Sequence, residues 1–158
     1  MGRKHMKLIV GAGERLIKGY VHHDVQNLPN IDIVCDFFDL PQRVEENSCS
    51  EIQMTHMLEH FPMEQSVAVL HQLWKFLEPG GQLYIEVPNF AWHAKMILED
   101  PSNRQIVEYA YGGQLNKWDF HYNGFTPDIL EEDLTEAGFA IKSLEPNSSI
   151  ECWAIKNV

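Results

Sequence analysis

The chain has 158 residues, enough for one domain of ordinary size with a buried core. At 44% hydrophobic and 22% charged residues it excludes the disordered, collagenous and coiled-coil classes. Its 12 Lys and Arg against 23 Asp and Glu give a net charge of −11, a sign that disfavours gripping nucleic acid or an anionic membrane through a basic face. Cys35, Cys49 and Cys152 are odd in number, widely spaced and without a CxxC pair. That pattern supports neither a disulfide framework nor a zinc knuckle, so a reducing, cytoplasmic location is expected. No apolar run approaches the roughly 20 residues of a membrane span. Residues 1–5 read as a polar leader ahead of a single domain at 6–158.

Along the chain, residues 7–10 form a short predicted strand running into Gly11-Ala12-Gly13. Residues 19–23 are a second, ending at Asp24; residues 31–35 a third, ending at Asp36; residues 51–55 a fourth, ending at His56. From 64 to 77 the apolar positions Val67, Leu70, Leu73, Trp74 and Leu77 keep helical spacing, and Pro79-Gly80-Gly81 is the expected stop. Residues 82–87 are a fifth strand, closed by Pro88. Residues 92–118 read as two short helices with breaks at Pro101 and Gly112-Gly113. Pro127 opens a helix carrying Ile129, Leu130, Leu134 and Ala137, and Gly138 ends it. The tail reads as a hairpin of residues 139–144 and 150–156. Alternating strands and helices imply an α/β fold with a mostly parallel sheet.

In such a sheet the ligand lies at the carboxyl ends of the strands. Gly11, Gly13, Asp24, Asp36, His56 and Asn89 all fall at such ends. Glycines there let backbone N–H groups approach a ligand, and the acids can accept from ribose hydroxyls or an adenine amino group. The dinucleotide fingerprint fails, because Leu16 replaces the third glycine and Asp24 follows Gly13 by 11 residues rather than about 20. A P-loop fails too, for want of a GK[ST].

The segments KLIVGAG, YVHHDV, IVCDFFDLP, MTHMLEHF and FLEPGGQLYIEVPN, in that order, resemble the small class I S-adenosylmethionine-dependent methyltransferases of the type 11 group. The resemblance covers most of residues 7–90 and resumes weakly at YGGQ, HYNGF and LTEAGF. It implies a Rossmann-like, seven-stranded sheet of order 3-2-1-4-5-7-6 with a C-terminal antiparallel hairpin. It also implies S-adenosyl-L-methionine as cofactor. Gly11 and Gly13 would line its methionine part, Asp24 would hold the ribose hydroxyls, and Asp36 the adenine amino group. Phe37 would flank the ring, and His56 would lie where the loop after strand 4 passes the cofactor.

The chain departs from that family in carrying Ile9 for the usual acid before the first glycine and Arg15 for the third glycine. The first helix is shortened or absent, and the helix ahead of strand 1 is missing. These losses imply an open acceptor site, suited to a bulky acceptor or completed by a second copy or a partner subunit.

His56-Met57-Leu58-Glu59-His60 matches the HxxEH pattern of zinc peptidases, which needs both histidines on one helical face. A strand before the motif and Pro62 after it argue against such a helix. Some relatives within the resemblance carry an acid at the His56 position followed by EH, and bind a divalent cation. No metal is expected here, but His56, Glu59, His60 and His121 are the set that would hold one. His121 lies in a segment that, by the resemblance, reaches over the cofactor's methyl group. A histidine there suits a general base, with His56 second. Tyr111, Gln114, Trp118 and Tyr122 are expected as an acceptor wall. His22, His23, His71 and His93 are read as surface or edge residues. The reading is a methyltransferase acting on a hydroxyl or amine of a small molecule or glycan. Its rivals are a binding module of the same fold working with a partner, and a metal-dependent hydrolase using HMLEH.

Overall fold

The structure, a computed structural model, describes residues 5–157; the expected leader lies outside the described residues except for His5. Seven strands form one sheet: β1 (Met6–Val10), β2 (Val21–Asp24), β3 (Ile33–Val34), β4 (Cys49–Thr55), β5 (Leu77–Pro88), β6 (Phe139–Pro146) and β7 (Ser149–Lys156). Their order is β3-β2-β1-β4-β5-β7-β6, as expected. The first five are parallel, and β7 runs antiparallel to both β5 and β6.

The strands alternate, and the alternation sorts the two faces. Leu8, Ile52, Leu83, Ala154 and Ile141 lie side by side in register on one face. That face meets Val69, Leu70, Leu73 and Phe76 of α1 (Ser66–Phe76) and Leu130 and Leu134 of α4 (Pro127–Glu136) in a single core. Ile141 is partly buried; the Val, Leu, Ile and Phe side chains of the others are essentially water-free, and each stabilises the fold by about 1.5–3 kcal/mol. The opposite face carries Lys7, Glu51 and Gln82 in one row and Gln53, Tyr84 and Trp153 in the next. Lys7 reaches Glu51 at 3.0 Å, and the Tyr20 hydroxyl donates to the same carboxylate. Polar side chains thus finish that face where a doubly covered parallel sheet would carry aliphatic ones.

Two further helices follow β5, α2 (Phe90–Glu99) and α3 (Arg104–Tyr111). They are the pair expected over 92–118. Thr126 caps α4 by accepting from the Ile129 N–H, with Pro127 in the first turn.

Three local expectations change. Helix α1 ends at Phe76, and Pro79-Gly80-Gly81 lies inside β5, where the register with β4 shifts between Cys49 and Glu51. A side chain at Gly81 would press on the carbonyls of Glu78 at 2.9 Å and Cys49 at 3.1 Å, so the glycine serves a bulge rather than a helix stop. Strand β3 is only two residues long. Residues 11–20 form a loop, and the first helix is absent, within what was expected. His22, His23 and His93 are buried rather than superficial, because β2 is an inner strand and α2 turns His93 inward; only His71 is exposed. The three cysteines are free thiols. No helix of the described residues is long and apolar enough to cross a membrane.

Candidate active site

The loop after β1 is pinned by β2. The Gly13 N–H donates to one Asp24 carboxylate oxygen at 2.8 Å and the Gln26 N–H to the other at 2.9 Å. Asn30 holds the far side of the loop, donating to the carbonyls of Gly13 and Arg15 at 2.9 Å each. Gly11 and Gly13 take left-handed backbone angles, φ +71° and +54°, which glycine adopts at little cost. At the end of β3, Asp36 accepts from the Phe38 N–H and starts a 3-10 turn, Phe37–Gln42.

These strand ends border a cavity of about 390 Å³. Every residue expected to bind cofactor lines it: Gly11, Gly13, Asp24, Asp36, Phe37 and His56. Trp118 and Tyr122 of the expected acceptor wall line this cavity, whereas Tyr111 and Gln114 do not. Sequence reasoning missed Phe38, Phe61 and His23. Phe37, Phe38 and Phe61 form an edge-to-face trio with centroids 5.4–5.9 Å apart. Phe37 is buried at 3% exposure and makes the floor, while Phe38, at 55%, presents the accessible ring. His23 donates from Nε2 to the Cys35 carbonyl at 3.0 Å, and burial holds its pKa below the usual histidine range.

The HMLEH segment is not helical through its length. His56 sits at φ +49°, its N–H held by the Glu86 carbonyl at 2.9 Å, and Leu58–His60 is a single 3-10 turn. The zinc-peptidase reading therefore lacks the helix that would align its histidines. The turn instead receives a later loop. The N–H groups of Tyr122 and Asn123 both donate to the Glu59 carbonyl, at 2.8 and 3.1 Å, and the His60 Nδ1–H donates to the Phe120 carbonyl at 2.9 Å. His121 is thereby carried in beside Glu59, with Nε2 4.0 Å from a carboxylate oxygen, and its Nδ1–H donates to the Tyr109 carbonyl at 2.9 Å.

His121 does not line the cofactor cavity. It lines an adjoining cleft of about 760 Å³, together with Glu59, Trp92, His93, Glu108 and Asp119. His56 and His60 belong to both spaces and form the wall between them. The two candidate bases are shifted in opposite directions. Glu59, with its nearer carboxylate oxygen 3.5 Å from Nδ1, and then Glu86, 3.0 Å from Nε2, hold the His56 imidazole above its ordinary pKa. Burial pushes His121 below its own, with Glu59 opposing.

The sheet order, the glycine loop and the acids at successive strand ends define a class I methyltransferase fold. Residues 14–144 match the methyltransferase-domain family, and the chain belongs to it. It is 26% identical over 117 residues to sphingolipid C9-methyltransferase 1 of Gibberella zeae, a match covering 72% of this chain and 20% of that protein. The chain thus spans about a fifth of that relative's length. Among solved structures it resembles a S-adenosylmethionine-dependent methyltransferase of Methanosarcina mazei, with TM-score 0.71 and 17% identity over 100% of this chain and 95% of the other. It also resembles the 1,6-didemethyltoxoflavin-N1-methyltransferase of Burkholderia thailandensis, solved with 1,6-didemethyltoxoflavin and S-adenosylhomocysteine. There the TM-score is 0.64 and the identity 18%, covering 99% of this chain and 73% of that one.

Proposed function

We propose that the chain transfers a methyl group from S-adenosyl-L-methionine to a hydroxyl, or an amine, of a small neutral molecule or a glycan. The observation that carries this reading is the pair of adjoining spaces sharing the His56–His60 wall.

The residues of the smaller cavity fit the cofactor. Its volume of about 390 Å³ falls within the range of small-molecule sites, roughly 300–1,000 Å³. At Gly13 a side chain would project into open space, with nothing within 4 Å, so backbone is presented bare to a ligand. Asp24 and Asp36 supply acceptor oxygens on the rim, and the phenylalanine trio supplies a flat apolar surface. Gly11 and Gly13 would line the methionine part, Asp24 the ribose hydroxyls and Asp36 the adenine amino group, with Phe37 as floor and Phe38 as the open face. When bound, the cofactor supplies an electrophilic methyl on a sulfonium.

The cleft beyond the wall would take the acceptor. Among the described residues its lining has the acids Glu59, Glu108 and Asp119 and the aromatics Trp92 and Tyr109, and no Lys or Arg. That chemistry favours neutral polyhydroxy or amine acceptors over phosphorylated ones. His121, whose pKa burial lowers, has its Nδ1–H committed to a carbonyl, so in the neutral ring Nε2 would take the acceptor's proton, and Glu59 would stabilise the imidazolium. Holding the reactants in line supplies most of the rate.

The test is release of S-adenosylhomocysteine across matched neutral, amino and phosphorylated glycosides. The reading expects turnover with the first two, reduced in His121→Ala while cofactor affinity is kept. Turnover confined to phosphorylated acceptors or nucleic acid would overturn it. The rival binding module gains from the loop at 11–20, where the resemblance implies a helix; it predicts cofactor held weakly or not at all, and no turnover by the chain alone.

A further inference from the structure

The loop at 11–20 crosses the polar face of the sheet as far as β4, where Arg15 Nη2 donates to Gln53 at 3.3 Å and the Tyr20 hydroxyl meets Glu51. Helices α1 and α4 pack on the other face. Among the described residues no helix packs on the polar face of β5, β7 and β6. Three rows cross it in register: Gln82, Ile155 and Ala140; Tyr84, Trp153 and Ser143; Glu86, Glu151 and Glu145. Tyr84 and Trp153 stand half-buried in the middle row with ring centroids 5.1 Å apart, and Ile155 and Ala140 extend the apolar strip. The third row sets three carboxylates side by side, and like charges directly opposite on neighbouring strands oppose the fold. Among the described residues no Lys or Arg forms an ion pair with any of the three; Glu86 is met by His56 at 3.0 Å. The Tyr84 hydroxyl donates to Glu86 Oε2 at 3.2 Å. Burial, and then Glu86 and Glu151, push that phenol well above its ordinary range.

We infer that this strip docks a basic amphipathic helix of a partner protein, its apolar side on Tyr84, Trp153 and Ile155 and its Lys or Arg side chains on the glutamate row. Mostly parallel sheets carry helices on both faces, and the connection that would supply one here is a loop. Strands lie about 4.8 Å apart, so three of them give a strip roughly 14 Å wide, room for a single helix of about 10–12 Å. An aromatic centre inside a polar border is the anatomy of an energetic hot spot. Charge then selects the occupant. A cationic side chain laid on the glutamate row turns mutual repulsion into attraction. A second copy of the chain would instead bring the same glutamate row and another net charge of −11, and would bury carboxylates of both copies. The inference stands apart from the acceptor cleft and from the transfer reaction.

The probe is a fluorescein-labelled amphipathic peptide of Leu and Lys, about 18 residues and so long enough to hold a helix, with a Leu and Glu peptide as its counterpart. Anisotropy titration at about 0.15 M salt screens distant charge. The Lys peptide should bind once per chain with a dissociation constant on the order of micromolar, and move amide NMR signals of β5, β7 and β6. Glu145→Gln with Glu151→Gln, and separately Trp153→Ala, should each weaken it at least ~10-fold. Glu86 is left intact because it also holds His56. Glu132→Gln with Glu136→Gln removes the same charge from exposed positions of α4 and should leave affinity within about twofold. Thermal unfolding reports whether Trp153→Ala folds; the Glu145 and Glu151 pair, both exposed, decides the matter if it does not. No binding, equal binding of the Glu peptide, or equal weakening by the α4 pair would each overturn the inference. So would a dimer in sedimentation that Trp153→Ala or the Glu145 and Glu151 pair dissolves, which would give the strip to a second copy.

Discussion

Replacing Asp24 by alanine strips the carboxylate that holds the N–H groups of Gly13 and Gln26, at 2.8 and 2.9 Å. The residue is 7% exposed, so water can replace it only in part. Each buried donor left unpaired costs about 1–3 kcal/mol, giving about 2–5 kcal/mol for the pair once partial hydration is allowed for. Asp24→Asn keeps the shape but turns one carboxylate oxygen into an NH₂ facing an N–H. It should restore one bond and cost about 1–3 kcal/mol. Urea unfolding gives the stabilities, and titration with S-adenosylhomocysteine gives the affinities. The expected order is wild type above Asn above Ala in both measurements, with no detectable binding by the alanine variant. An alanine variant within about 0.5 kcal/mol of wild type, the usual range for an inconsequential surface change, would refute the reasoning.

Gly11 and Gly13 should respond differently to alanine. Both pay about 1–2 kcal/mol for a side chain at positive φ, but at Gly11 the new Cβ also overlaps the Met57 thioether and lies 3.0 Å from its Cγ, adding about 1–3 kcal/mol. Urea midpoints should therefore fall further for Gly11→Ala, and equal midpoints would contradict the packing argument. His23 should make stability depend on pH. Burial lowers its folded pKa below the ordinary histidine value of about 6.5, so the unfolded chain binds the extra proton first, and stability falls as pH drops through that value. Between about pH 7.5 and about pH 5.5 the wild type should lose more thermal stability than His23→Gln, which can still donate to the Cys35 carbonyl. Parallel losses would assign the pH dependence to other groups.

The sheet was legible because its strands end in glycine or in acid: Val10 runs into Gly11, His23 into Asp24, Cys35 into Asp36. The sidedness of the sheet was also written in the sequence, and it was overlooked. EIQMT and QLYIEV set Glu51, Gln53, Gln82, Tyr84 and Glu86 in alternation with aliphatic residues and methionine, the mark of strands covered on one face, whereas doubly covered parallel strands run continuously apolar. The helix stop assigned to Pro79-Gly80-Gly81 erred because a bulge and a turn need the same residues. The burial of His22 and His23 depends on β2 lying between β1 and β3, a tertiary fact that local polarity does not report. The meeting of Glu59 with His121 joins residues 62 apart through backbone hydrogen bonds from Tyr122 and Asn123, which any side chains could make. No spacing rule announces that contact.

The central claim is that the cavity at the strand ends holds S-adenosylmethionine. Calorimetric titration with S-adenosylhomocysteine tests it most directly, with Asp36→Ala as the comparison, since that residue borders the cavity and caps only a surface 3-10 turn. The account predicts one site per chain with a dissociation constant on the order of micromolar, weakened at least ~10-fold in the variant. No heat of binding at millimolar ligand, from a protein that unfolds cooperatively, would contradict it and leave the binding module as the better description.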